Sequence, residues 1–311
     1  MSCSFQLLVC ESLTLTTCNH THIYSYAKQM THHWCWHFAW ALVALAQFIA
    51  YLVYTAVYPG IYKDAIPLTQ TSLTGPPGAN GTFHVTQLYS HYYPMIAIIV
   101  MFMFASLQHC MRGVRVFQGV KEKGTDDNGS SVPFKNSYSR RSVGGENTLG
   151  MNDRMMRLLG NILTATIMTQ ILLVMMSVAD FWAIVGLSLA PIAMLWFVMQ
   201  GDRLTAGDKW VSFGYAGSVG LLPWVVIFWQ MAIINLGVGV ATLTYGMVFF
   251  MFFMFLFAGA LEIGYIYNSF DATPEGQKTS RGLEKGLDAV DGVSQIVLAV
   301  LVVIAMRDTI P

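Results

Sequence analysis

The sequence predicts an all-α membrane protein: a bundle of seven transmembrane helices with the N-terminus inside, the C-terminus outside and a short β-containing outer loop. Three observations carry this. Hydrophobic residues make up 55% of the chain and charged residues only 11%, whereas a soluble domain carries about a quarter of its residues as Asp, Glu, Lys or Arg. Seven stretches are each apolar over the roughly 20 residues needed to cross ~30 Å of hydrocarbon. The basic residues fall almost entirely on one side of those stretches.

The spans are expected at about 36–58, 94–112, 158–179, 181–199, 211–236, 240–267 and 288–306. Asp180 and its neighbours separate the third from the fourth, so these two form a tight helical hairpin. The segment MQGDRLTAGDK turns the chain between the fourth and fifth. With the N-terminus inside, Lys28, the nine basic residues from Arg112 to Arg157, Arg203, Lys209, Lys278, Arg281 and Lys285 are internal, fifteen of the seventeen in the chain. Only Lys63 and Arg307 are external. The positive-inside rule reads this as N-in and C-out. In this reading every Lys and Arg sits in a loop or terminus.

Residues 1–35 form an N-terminal extension on the inner side, and 36–311 the seven-helix domain. An outer loop over 59–93 is expected to cap the bundle with short strands broken at Gly75-Pro76-Pro77-Gly78. Within it, Asn80-Gly81-Thr82 is a glycosylation sequon, usable only on a lumenal or extracellular face. The inner loop over 113–153 is basic, rich in Gly, Ser and Asn, and reads as flexible and available for docking. The N-terminal residues carry no Arg-rich transit peptide and no long apolar signal. They fit an organelle inner membrane, the endomembrane system and the plasma membrane alike.

Seventeen basic and seventeen acidic residues cancel, which removes any global field for nucleic acid. Five cysteines without CxxC spacing read as free thiols. His20, His22, His32, His33 and His37 cluster around the start of the first span without carboxylate or thiolate partners at ligand spacing. They read as interfacial or solvated histidines beside the aromatic belt of Trp34, Trp36 and Trp40, and no metal site is expected. Ionisable residues in spans are functional candidates. Here these are His109, Glu262, Asp288 and Asp291, all toward inner helix ends and able to share one polar cavity. The plainer reading, weighed slightly above it, leaves each hydrated at headgroup level with Asp288 paired to Lys285. Gly214, Gly217, Gly220, Gly259 and Gly264 are expected to let helices approach closely, and Pro191 and Pro223 to kink theirs. No phosphate-cradling loop, nucleophile elbow or HExxH motif occurs, so no enzyme is expected.

The outer-loop string PLTQTSLTGPPG, the fifth-span string GSVGLLPWVVIFW, the sixth-span start TYGMVFF and the terminal TIP, together with the inverted topology, resemble the heliorhodopsins from about residue 36 onward. The resemblance implies a rhodopsin-like bundle with retinal on a seventh-helix lysine and a third-helix glutamate as counterion. Neither group is present at the matching positions. Aligning on Arg281-Gly282 places the lysine position at Gln295, or at Ser294 with a gap, and GVSQIVLAVLVVIAM contains no lysine. Aligning on Val178-Ala179-Asp180 places the counterion at Gly160, flanked by Leu159 and Asn161. The two losses are coupled, because a buried carboxylate without its cation is costly. His109, Pro223, Trp224 and Gln47 match pocket positions of that family, whereas a first-helix histidine is replaced at Ala44.

The resemblance therefore implies a divergent, non-photoactive relative with no covalent retinal and with bound lipids. The first functional expectation is a structural or accessory subunit of a larger membrane assembly, its partners being lipids and other membrane subunits or a second copy. The second is a receptor or carrier holding a carotenoid, lipid or non-covalent retinal in the vestigial pocket. The third is a channel or transporter built on Glu262, Asp291 and His109.

Overall fold

The structure is a computed structural model that describes residues 35–58, 66–74, 82–121, 153–202, 204, 206–237, 242–268 and 274–308. His20, His22, His32, His33, the Asn80 sequon and residues 122–150 of the inner loop lie outside the described residues. Helix α1 covers Cys35–Val57. It is followed by β1 (Ile66–Thr74), β2 (Thr82–Tyr92), α2 (Pro94–Lys121), α3 (Asp153–Met175), α4 (Phe181–Gly201), α5 (Ala206–Gly237), α6 (Thr242–Asn268) and α7 (Pro274–Asp308). All seven helices are long and apolar enough to cross a membrane, and the protein is a multi-pass integral membrane protein.

Hydropathy located the spans, but the helices run beyond them into charged sequence. α2 continues through 113–121, which the sequence reading gave to a loop. α3 begins at Asp153 and takes Arg154 and Arg157 into its first turns. α7 begins at Pro274, more than three turns before the expected 288. Proline suits a first helical position because its missing N–H would find no partner there. Glu, Lys and Leu then carry the helix on propensity alone. An apolar window does not register such turns, because it ends where charged residues begin.

The α3–α4 connection is built by local chemistry. Val178 N donates to the Leu173 carbonyl at 3.0 Å and Ser177 N to the Val174 carbonyl at 2.9 Å, a Schellman closure of α3. Ser177 sits at φ 60°, where glycine is the favoured residue. Asp180 then caps α4, its Oδ1 accepting from Ala183 N at 2.8 Å. Between α1 and α2 the described residues form a two-stranded antiparallel sheet, its strands longer than the short ones expected. It pairs Ile66 with Tyr92 and Thr74 with Thr82, with a register shift between Pro67 and Thr69. Leu68 is buried and joins the main core. Burial pushes the Tyr92 hydroxyl well above the usual tyrosine range.

The chain divides into two compact units: Met1–Val43 with Leu107–Gly150, and Ala44–Ser106 with Met151–Pro311. The second holds the main core, around Ile98, Met101, Ile171, Leu173, Met247, Val248, Leu298 and Val302. A smaller cluster of Leu158, Leu195 and Met199 joins α3 to α4. Apolar side chains such as Trp182, Trp229 and Phe253 stay exposed, as expected of helices whose outer faces are solvated by lipid chains.

Of the glycines expected to allow close helix approach, Gly220 does so. A Cβ there would run into Met194 and come 3.3 Å from Phe255 Cζ. At Gly264 the contact is an ordinary one, 3.4 Å to Leu283. Nothing lies within 4 Å of a Cβ at Gly214, Gly217 or Gly259. Pro191 and Pro223 are buried within α4 and α5, which both stay helical across them.

Two substitutions test the α3–α4 turn by thermal unfolding in detergent. Ser177→Gly should stabilise by roughly 0.5 kcal/mol, the relief of left-handed strain less the entropy of a freer unfolded chain. Asp180→Ala should destabilise by about 1 kcal/mol through loss of the cap.

Candidate functional site

Arg154, in the first turn of α3, is a buried charge, its side chain only 2% exposed. Its Nε donates to Asp202 Oδ2, just past the end of α4, at 2.6 Å. Its Nη2 donates to Glu262 Oε1 on α6, and Nη1 lies 3.5 Å from Oε2 of the same carboxylate. The guanidinium carbon sits 3.7 Å from the centroid of the Tyr265 ring, a cation–π contact strengthened by the absence of water. Arg157 Nη2 lies 3.6 Å from Glu262 Oε2, and Lys209 Nζ lies 3.8 Å from Asp202 Oδ1. The chain thus joins the start of α3, the α4–α5 turn and the end of α6 through one charged cluster.

This corrects the reading of Glu262 and Asp288 as hydrated headgroup residues. Glu262 is buried between two arginines, and Asp288 is 2% exposed on α7. Asp291 accepts a hydrogen bond from Asn161 Nδ2, linking α7 to α3.

Above the cluster lies a cavity of about 220 Å³ bounded by α3, α4, α5, α6 and α7. Its α3 side runs from Arg157 through Asn161, Ala165 and Met168 to Leu172, and its α5 side from Phe213 to Ile227. Gly217 and Gly259 belong to this wall, so the space beside them is the cavity itself. Polar lining residues are Arg157, Asn161, Thr169, Glu262, Asp291 and Ser294. The hydroxyls of Thr169 and Ser294 already donate to the carbonyls of Ala165 at 2.9 Å and Val290 at 2.7 Å. The remaining four polar groups gather at the charged end, and the rest of the wall is apolar.

The predicted site residues divide in two. Pro223, Trp224, Ser294, Glu262 and Asp291 all line the cavity. Trp224 is 8% exposed and packs against Phe252 and Phe255 with centroids 5.2 and 5.7 Å apart. Gln295 is buried on α7, Gly160 is partly buried on α3 and Gln47 partly buried on α1, and none of the three lines the cavity. His109 belongs to the smaller unit, where it stacks on His37 at 6.0 Å and Trp40 at 6.3 Å. His37 is fully buried, which overturns its reading as a solvated interfacial side chain. Ala44 is an ordinary core residue. Among the described residues no group of three or more His, Cys, Asp or Glu is placed to hold a metal.

Sequence reasoning missed Arg154, Asn161 and Asp202. Asn161 is adjacent to the position assigned to the counterion, and one residue of register decides which of the two faces α7. Because no lysine lines the cavity, a Schiff base would have no amine there, and the residues present do not fit a covalently attached retinal.

No family model matches the chain, and no curated protein does. Among solved structures it is similar to a thermophilic rhodopsin, at a TM-score of 0.53 and 12% identity, over 88% of this chain and 94% of that one. The fold is therefore that of a rhodopsin-like seven-helix membrane protein.

Glu262→Ala should lower stability by roughly 3 kcal/mol, because it strips Arg154 and Arg157 of a shared partner while leaving both buried. Differential scanning fluorimetry in detergent checks this. Asp202→Ala, at a more exposed carboxylate, should cost less than half as much.

Proposed function

We propose that this protein is a non-photoactive, rhodopsin-fold membrane protein that holds an apolar ligand non-covalently inside its helix bundle. One observation carries the reading: the cavity bounded by α3 to α7 stays open although no lysine in its wall can anchor a chromophore as a Schiff base. A purely structural bundle gains from filling such space, since each missing methyl-sized group costs about 1 kcal/mol. The apolar wall with a few convergent polar groups at one end is the usual make-up of a ligand site. Kinship with the heliorhodopsins, with the lysine and its counterion lost together, is part of this proposal. So is the placement of the N-terminus and the arginine-rich helix ends on the inner side. The quoted strings and the distribution of basic residues support these two points.

A second reading, the accessory membrane subunit, is supported by the outer face of α5. Gly214 and Ser218 lie exposed one turn apart there, with open space at the missing Cβ. This small-residue spacing lets another membrane helix approach closely. A channel or transporter has less support, because the cavity wall away from the charged end offers no polar path.

The test is extraction into mild detergent, followed by particle composition, visible spectrum and mass spectrometry of solvent-extracted molecules. The expected result is a colourless protein carrying about one chain-like apolar molecule per copy, lost in a Gly217→Leu variant that still folds. A visible band from a covalent adduct would overturn the reading. A large hetero-oligomer whose bundle carries no ligand would establish the accessory-subunit reading instead.

A further inference from the structure

We propose that the seam between two helix groups of the larger unit is a latched gate. α6 and α7 move as one body away from α3, α4 and α5 at the Arg154 end, about a hinge of aromatic contacts beside Trp224. The proposal goes beyond the ligand-binding reading and does not depend on it.

Each group is tightly built. Leu283 lies 3.4 Å from the point where a Cβ would stand at Gly264, and Leu261 lies 3.4 Å from the same point at Gly286. α6 and α7 therefore interlock leucine over glycine in both directions. In the other group Ser212 Oγ on α5 donates to the Phe197 carbonyl of α4 at 2.7 Å, and Gly201 of α4 admits the Ser212 Cβ, 3.3 Å from a Cβ at its own position. The turn capped by Asp180 and the cluster of Leu158, Leu195 and Met199 tie α4 to α3. Helices interdigitated in this way transmit displacement as units, because a close-packed interior yields little.

The two groups share a core at one end only. Ile171 and Leu173 of α3, Trp224 of α5, Met247 of α6 and Leu298 of α7 all belong to the main core. There Trp224 and Phe228 pack on Phe252 with centroids 5.2 and 4.9 Å apart. Toward Arg154 the next core cluster, Leu158 with Leu195 and Met199, joins α3 to α4 alone. α3 and α7 approach each other over only a short stretch, as do α5 and α6.

Long polar side chains bridge the seam at that second end. Arg154 donates to Glu262 and stacks 3.7 Å from the centroid of Tyr265, Arg157 Nη2 lies 3.6 Å from Glu262 Oε2, and Asn161 donates to Asp291. These contacts are directional and short in range, whereas apolar packing at a pivot tolerates a small tilt. Glu262 lies ten residues from Phe252 on α6, an arm of roughly 15 Å at ~1.5 Å per residue. On that arm a rotation of about 10° carries the carboxylate about 2.5 Å, enough to part it from its hydrogen-bonding partners. Arg157, Asn161, Glu262 and Asp291 also line the cavity. Release of the latch therefore widens the cavity at its charged end.

The test is double electron–electron resonance between paired spin labels on the full-length protein in lipid nanodiscs, with its five cysteines replaced by serine. Val211→Cys with Tyr267→Cys reports across the seam at the Arg154 end, Trp229→Cys with Phe249→Cys across it at the Trp224 end, and Trp196→Cys with Val211→Cys within one group. All five positions are exposed. Glu262→Gln, which removes the shared carboxylate, should lengthen the Val211 to Tyr267 distance by at least about 3 Å and leave the other two pairs unchanged. Arg154→Lys keeps the charge but loses the guanidinium fork, and should move part of the population the same way, so that the proposal stays open to test where Glu262→Gln does not fold. No lengthening in any folded latch variant would overturn the gate. An equal change within the α4 and α5 pair, or at the Trp224 end, would overturn it too, since the bundle would then be loosening as a whole. The measurement uses no ligand, so its failure leaves the ligand-binding reading untouched.

Discussion

A guanidinium inside a membrane protein has to be neutralised, because neither lipid nor a packed core solvates it. Arg154 meets this demand by binding two carboxylates at once, Asp202 at the end of α4 and Glu262 on α6, while Tyr265 covers its face. The partners lie 48 and 108 residues away in sequence. Each is fixed on a helix or a short turn, so the ion pairs set the longitudinal register of α3 against α4 and α6. The smaller core cluster of Leu158, Leu195 and Met199 sits on that register. So does the hydrogen bond between Asn161 and Asp291 two turns further along α3.

The cavity follows from the same arrangement. α4 packs closely on α3 and α5, and α7 on α6, but α5 and α6 meet over only a short stretch. Gly220 makes that stretch possible by admitting Met194 and Phe255 against its backbone. Below it, Gly217 and Gly259 contribute no side chain to the gap. The space is thus lined by aromatic packing around Trp224 at one end and by charge at the other. An amphiphilic environment of this kind arises from two separate demands, close packing of helices and neutralisation of buried ions, acting at opposite ends of one bundle.

Much of the site was legible in the sequence. Glu262 and Asp291 were visible as ionisable residues in apolar stretches, and Pro223 with Trp224 as a recognisable string in the fifth span. Of the four ionisable residues singled out, Glu262 and Asp291 line the cavity together with Ser294, and His109 and Asp288 do not. Arg154 and Arg157 were hidden by the rule that located the spans: an apolar window ends where charge begins, so both were assigned to a loop. Asn161 was hidden by register, since a shift of one residue turns a helical side chain by roughly 100° and decides whether Gly160 or Asn161 faces α7. The burial of His37 was hidden because a histidine beside tryptophans at a helix start is usually an interfacial residue.

The sequence by itself determined the number of spans, their order, the α3–α4 hairpin and the presence of a β segment before α2. These depend on hydropathy over ~20 residues and on local turn chemistry, which are properties of contiguous chain. Only the tertiary structure decided which charges are buried, which carboxylate serves which arginine, and that a cavity lies among α3 to α7. Those outcomes depend on pairings between residues up to 130 positions apart. Burial and electrostatic pairing are properties of the packed arrangement, and no local pattern encodes them.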